Sequence, residues 1–145
     1  MTYWDSAAIL KVYVKEPDSD VFEHLLARGD GPIQVSAIAW VEILCALHRK
    51  AGVGDLRPDQ ADSALDKYRS DAAAGRILHM GYGDDVVAEA GRIMALNFRQ
   101  ERSILIRSLD LIHLATAIAG RAEALVTTDA RLRRLASLAR LRVLP

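Results

Sequence analysis

RSLDLIHLATAIAG, residues 107–120, is apolar nearly all the way round once wound into a helix. Leu109, Leu111, Ile112, Leu114, Ala115 and Ile118 leave no wide polar face, and a helix of that kind is normally buried. Its early carboxylate, Asp110, is therefore the anomaly, because an ionised acid is seldom buried without a partner. Two readings stand side by side. Ser108 supplies an N-cap hydroxyl and Asp110 sits in the first turn, where the helix dipole favours an acid. Otherwise Asp110 faces something cationic. The same oddity recurs at three more acids, Asp5, Glu42 and Asp129.

Downstream, Ala124–Thr127 reads as a strand ended by Thr128–Asp129. A basic helix follows from Arg131 to Ala139, with Leu132, Leu135 and Leu138 inward, and Arg142–Leu144 closes the chain as an edge strand. Upstream lie the polar loop RQERS and an amphipathic helix from Asp84 to about Arg99, built on Val87, Ala90, Ile93, Met94 and Leu96. Ile77–Met80 is a short strand. Before it, Pro58 opens a surface helix running to about Ala74, with Gly75 at its C-cap.

The chain begins with a strand, Met1–Trp4, ending at Asp5. The following SAAILKVYVKEP is helical up to Pro17. A second helix starts at Asp18 or Ser19, puts Val21, Phe22, Leu25 and Leu26 on one side, and ends in the turn RGDGP at 28–32. Ile33–Val35 forms a strand that leads into a helix from Ser36 to about Lys50. Within that helix Glu42 is mid-helix, crowded by Ile38, Val41, Leu44 and Cys45, so capping does not explain it: it is a buried or cleft-facing carboxylate, or else part of a solvated stripe with Ala39 and Trp40. Strands alternating with helices predict an α/β fold, a central parallel sheet of about five strands flanked by helices. Sites in such sheets lie outside the carboxyl ends of the strands, where Asp5 and Asp129 fall and where the Glu42 helix begins.

Composition narrows the possibilities. A chain of 145 residues suits a single domain, residues 1–145, and 19 basic against 19 acidic side chains give no net charge. A general nucleic-acid binder is more basic, so any such role rests on a local site or on acids neutralised by metal. The lone Cys45 excludes an internal disulfide and suits a reducing compartment. The opening MTYWDS has no signal-peptide character, and no apolar run reaches membrane-spanning length. A soluble cytoplasmic protein is expected, with no membrane partner.

Clustered carboxylates repel one another and raise each other's pKa unless a cation relieves them. Oxygen-only ligands select hard ions, Mg²⁺ or Mn²⁺, whose natural chemistry here is phosphodiester hydrolysis. The hydroxyls of Ser6, Thr127 and Thr128 orient the acids or bind phosphate, or else act only as turn and cap residues. An adjacent acid pair and a late lysine, needed by a receiver domain, are missing. Asp5 is followed by Ser-Ala-Ala, which excludes a phosphatase of the DxDxT kind.

YWDSAAILKVYVKEP, VSAIAWVEILCALHRK, LIRSLDLIHLATAIA and ALVTTDARL together make the chain resemble a PIN-domain nuclease, more narrowly a VapC-type toxin of bacterial toxin–antitoxin modules. The resemblance covers essentially the whole chain. It implies a PIN-like fold and a Mg²⁺- or Mn²⁺-dependent endoribonuclease, inhibited by a cognate antitoxin and dimeric. The family's acidic site falls on Asp5, Glu42, Asp110 and Asp129, and its strand-end threonine on Thr127. One departure is Ala7, where relatives often carry Ser or Asn, which touches a supporting hydrogen bond rather than the acids.

His113 sits one turn after Asp110 and is expected to pack or hydrogen-bond rather than catalyse. His48 and His79 lack metal-ligand spacing, and Cys45 is expected in the core. Four acids repel RNA, so Lys11, Lys15, Arg49, Lys50, Arg107, or the Arg131, Arg133 and Arg134 cluster should offset them. Arg49 and Arg107 are the first candidates for touching phosphate or pairing with the acids. An antitoxin segment is expected on apolar surface left by Ile9, Leu10, Val12, Tyr13, Val21, Phe22 and Leu25. A catalytically silent module of the same fold, binding RNA or protein, is the alternative. Intact acids at all four positions argue against it.

Overall fold

The computed structural model describes residues 1–29 and 31–145; the expected turn at 28–32 includes Asp30, which lies outside the described residues. The strands β1 (Thr2–Trp4), β2 (Ile33–Ser36), β3 (Ile77–Met80), β4 (Ala124–Val126) and β5 (Arg142–Leu144) form one sheet. Its order is β3-β2-β1-β4-β5, with every neighbouring pair parallel. The helices are α1 (Ser6–Tyr13), α2 (Ser19–Ala27), α3 (Ala39–Gly52), α4 (Pro58–Ala73), α5 (Asp84–Phe98), α6 (Ser108–Ala119) and α7 (Ala130–Leu138). This is the expected α/β fold with a five-stranded parallel sheet, and β5 is the expected edge. The chain winds one way through β2 and β3 and the other way through β4 and β5. The switch point, where α/β sheets hold their ligands, therefore lies between β1 and β4.

Side chains alternate across a strand, so β1 feeds two cores. Trp4 enters one with Ile9, Phe22, Val35, Ile43 and Tyr68. Tyr3 enters the other with Ile93, Leu114, Leu125, Leu132 and Leu135. The short strands of β1, β2 and β4 are buried throughout except for Thr2, as strands covered on both faces must be.

Several expectations change in detail. The helix expected from Ser36 starts at Ala39, because Ala37 donates its N–H to the Met80 carbonyl (2.8 Å) and so prolongs the strand pairing. Glu42 is consequently in the first turn of α3, not in mid-helix. Val41 is 63% exposed and Leu44 42%, and Cys45, expected in the core, is exposed beside them. Ile43 and Leu47 are the residues α3 turns inward. Leu109 is 47% exposed, so the N-terminal turn of α6 reaches the surface while His113 to Ala117 are buried. Val21 and Val87 are exposed too, and α5 buries Val86, Ile93 and Asn97 instead. The helix expected to run to Pro17 ends at Tyr13, where Val14 turns extended. Gly75 follows the α4 cap at φ +72°, the left-handed conformation that glycine adopts without strain.

Against the first core, His79 stacks on Trp40 with ring centroids 5.0 Å apart and lies 2.6 Å from the Tyr68 hydroxyl. Burial lowers its pKa below the ordinary 6.5. The folded state thus prefers the neutral ring, and the stability this gives is present above the unfolded pKa of about 6.5 and lost as pH falls through the lower folded value. Thermal melts from about pH 7.5 to 5.5 should show wild type losing more stability than His79→Gln. Parallel curves would remove His79 from the acid response.

Candidate active site

Asp5 follows β1 directly, and its backbone N–H stays in the sheet through the Val126 carbonyl (3.1 Å). It is only 5% exposed and caps α1: one oxygen accepts the Ala8 N–H at 2.7 Å, the other the Thr127 hydroxyl. Asp5 therefore caps α1 with one oxygen and meets the end of β4 with the other. Burial pushes its carboxyl above the ordinary range, and Glu42 adds to this, while Thr127, Ala8 and His113 oppose it. Thr127 also accepts the Asp129 N–H at 3.1 Å, tying the two strand-end acids through one hydroxyl. Asp129 caps α7 by accepting the Arg131 and Leu132 N–H groups, both at 2.8 Å, and is otherwise exposed.

Glu42 reaches the same place from α3. One of its oxygens accepts the Ser6 hydroxyl and stands 2.7 Å from His113 Nε2. Burial pushes Glu42 up, but the bonds from His113 and Ser6 outweigh it and hold the carboxyl below its ordinary value. His113 is 2% exposed, with Nδ1 2.7 Å from the Tyr3 hydroxyl. Burial drives the Tyr3 phenol far upward and keeps it protonated. Its O–H therefore donates to Nδ1, which leaves the Nε2 proton for Glu42. Ser6 also lies 3.3 Å from Nε2. Tyr3 was not expected in the site, and its only sequence signal is its place two residues before Asp5. His113 has the hydrogen-bonding role expected of it.

Asp110 is half-buried in the first turn of α6, and Ser108 makes no capping bond there; Arg107 occupies the N-cap position. Burial raises the Asp110 carboxyl, Asp129 and Glu42 raise it further, and Arg107 and His113 pull against them. Glu42 thus acts on Asp5, and Asp129 and Glu42 act on Asp110, near the carboxyl ends of β1 and β4. Asp5, Glu42 and Asp129 are held by their own local hydrogen bonds, and among the described residues no three His, Cys, Asp or Glu side chains stand close enough to form a ready-made metal cage. Among the described residues Thr128 makes no side-chain hydrogen bond and is exposed. Arg49 lies seven residues beyond Glu42, about two turns and 10 Å along α3, and is exposed. Ala7 is exposed and adds nothing to the bonds on Asp5.

The cations expected to offset the acids divide sharply. Lys11 sits on Glu16 (2.6 Å) and Asp18 (2.7 Å), Lys50 on Glu16 (2.7 Å), and Lys15 on Asp20. Those charges are already spent on helix-to-helix ties. Arg133 donates to the Thr127 carbonyl at 3.1 Å and so braces the end of β4. Arg107, Arg131 and Arg134 have no ion-pair partner among the described residues.

Residues 2–138 match the family described as PIN domain. The chain belongs to the PIN-domain family. Ribonuclease VapC46 of Mycobacterium tuberculosis is 34% identical over 115 residues, which are 79% of this chain and 72% of that protein. This PIN domain accordingly groups with the VapC-type members. FitAcB from Neisseria gonorrhoeae shares the fold with a TM-score of 0.75 at 18% identity, over 100% of this chain and 97% of that one. VapBC2 from Rickettsia felis, solved bound to a DNA fragment from its promoter, gives 0.67 at 22% identity, over 99% and 98%.

Proposed function

We propose that this PIN domain is a Mg²⁺- or Mn²⁺-dependent endoribonuclease, the toxin of a toxin–antitoxin module. The carrying observation is the placement of Asp5 directly after β1 and of Asp129 just beyond β4 at the switch point, with Glu42 close enough to act on Asp5, and Asp129 and Glu42 close enough to act on Asp110. The donor set fits a hard divalent ion. It is oxygen-only, it leaves a free lone pair on every acid, and Mg²⁺ commonly takes one or two carboxylates and keeps water, so a closed cage is not required. Asp5, Glu42, Asp110 and Asp129 would hold the ion. When bound it would lower the pKa of water and stabilise charge on phosphoryl oxygens. The chain's own part is positional. Thr127 and the Ala8 N–H fix Asp5, Ser6 and His113 fix Glu42, and Arg107 stands beside Asp110 where an anionic substrate arrives.

The relative VapC46 is named a ribonuclease, and the solved relatives are toxin–antitoxin complexes, which supports RNA as substrate and an antitoxin as partner. The antitoxin groove expected on α1 and α2 is largely closed: Ile9, Leu10 and Phe22 are core, Val12, Tyr13 and Leu25 pack against it, and only Val21 is exposed. Apolar surface remains instead on α3 at Val41 and Leu44, which favours an interface there for a homodimer. Among the described residues no helix is long and apolar enough to cross a membrane, which suits a cytoplasmic toxin. Residues 1–145 act as one catalytic unit in this reading.

The test is cleavage of total cellular RNA by the purified protein with Mg²⁺ or Mn²⁺. Cleavage should stop with EDTA and return when metal is added back in excess. Cleavage that ignores EDTA would rule out the metal site. An intact RNA pool at every metal concentration would favour the silent binding module.

A further inference from the structure

We infer that the cleft between α7 and the loop joining α5 to α6 is a subsite for a phosphodiester of single-stranded RNA next to the one that is cut. The inference rests on the ribonuclease reading. The cleft encloses about 480 Å³, within the usual range for a small-ligand site. Arg102 and Ile104 line it from the loop, and Arg134, Ser137 and Leu138 line it from α7, with Gln100 and Glu101 completing the wall. Ile104 and Leu138 pack against the second core and give the cleft an apolar floor. Four arginines outside the cleft sit on carboxylates, Arg57 on Asp59, Arg69 on Asp66, Arg76 on Asp71 and Arg92 on Glu89, so their charge is already matched. Among the described residues Arg102 and Arg134 have no such partner, and Glu101, in the same wall, pairs with neither.

The loop is a built structure. Asn97, 1% exposed, donates to the Ile104 carbonyl and accepts the Ile104 N–H, both at 2.9 Å. Ser103 donates its hydroxyl to the Asn97 carbonyl at 3.3 Å. A buried amide on α5 is thus spent on fixing the backbone between Arg102 and Arg107. On the other wall, α7 is capped by Asp129, and Arg134 and Ser137 lie five and eight residues further on, about 8 and 12 Å along its axis. An RNA strand placed with one phosphate at the acids meets Arg131 and then this cleft. Guanidinium groups match phosphate oxygens in a two-pronged geometry, and the apolar floor offers a surface to a ribose or base.

The test is binding of a fluorescent, mixed-sequence single-stranded RNA of about ten nucleotides, a length within the span of one strand-binding site. Asp110→Asn protein serves as background, with Arg102→Ala, Arg134→Ala and the double change added. Each single change should weaken binding several-fold and flatten the log–log salt slope by about 0.7, and the double change by about twice that. Arg102→Lys should keep the slope while losing part of the affinity, because charge survives and the fork does not. Unchanged affinity and slope in a double variant with wild-type thermal stability would overturn the subsite. So would RNA binding left intact while binding to a polyglutamate peptide is lost, which assigns the cleft to an acidic protein segment. Absence of any RNA binding also overturns it. Absence of cleavage by the wild-type protein overturns only the ribonuclease reading, since the subsite is judged by its own slope.

Discussion

Replacing Asp110 by Asn is expected to lower RNA cleavage more than about 100-fold, because even residues that merely orient a metal ligand are worth about 10–100-fold. In metal-free buffer the same change should raise the melting temperature by about 1–3 °C, the equivalent of a fraction of a kcal/mol. Asp110 is partly buried, and Asp129 and Glu42 face it with like charge, so its carboxyl is held above the ordinary value. Raised folded-state pKa means that ionisation costs stability. The contribution is whole below the unfolded pKa near 3.8 and is lost as pH rises through the folded value. The advantage of Asn should therefore appear at neutral pH and vanish toward about pH 3. Adding Mg²⁺ should reverse the order, stabilising wild type and not the variant. Equal melting temperatures at pH 7 without metal would show that repulsion at Asp110 is screened. Retained cleavage would remove Asp110 from the chemistry.

His113→Phe should cost about 2–4 kcal/mol, since it keeps an aromatic ring while stripping a charge-assisted bond from Glu42 and the acceptor from buried Tyr3. In a chain of this size that is a fall of about 5–15 °C in melting temperature. Cleavage should drop by about 10–100-fold, the usual effect of loosening a metal ligand's support. The pH dependence has the opposite sign to that of Asp110. Glu42 is held below its ordinary value, so its stabilisation is present above the unfolded pKa near 4.5 and lost as pH falls through the folded value. The stability gap between wild type and variant should open above about pH 5 and close toward pH 3. A melting temperature within error of wild type would mean the line from Tyr3 through His113 to Glu42 contributes no net energy. A large fall with normal cleavage would confine that line to folding.

Much of the candidate site was legible because its acids break local rules. Asp110 interrupts an apolar helix, and Asp5 and Asp129 end short apolar strands, so pattern and strand position alone bring them to one edge of a parallel sheet. Glu42 stood out too, but for a reason the structure corrects: Val41, Leu44 and Cys45 do not crowd it, and α3 begins three residues later than the pattern suggests. Hydrophobicity cannot separate an apolar face turned to a core from one left for a partner, since the side chains are the same.

The sequence by itself determined the order of strands and helices, the parallel sheet and the acids at its carboxyl ends, because apolar periodicity and strand-end position are local properties. Tertiary structure decided what holds those acids and which cations remain free. Tyr3 meets His113 across 110 residues, Thr127 meets Asp5 across 122, and Lys11 and Lys50 meet on Glu16. No local pattern encodes such pairings. They follow from which helix faces the sheet brings together, and a lysine's charge looks the same in sequence whether it is free or already neutralised.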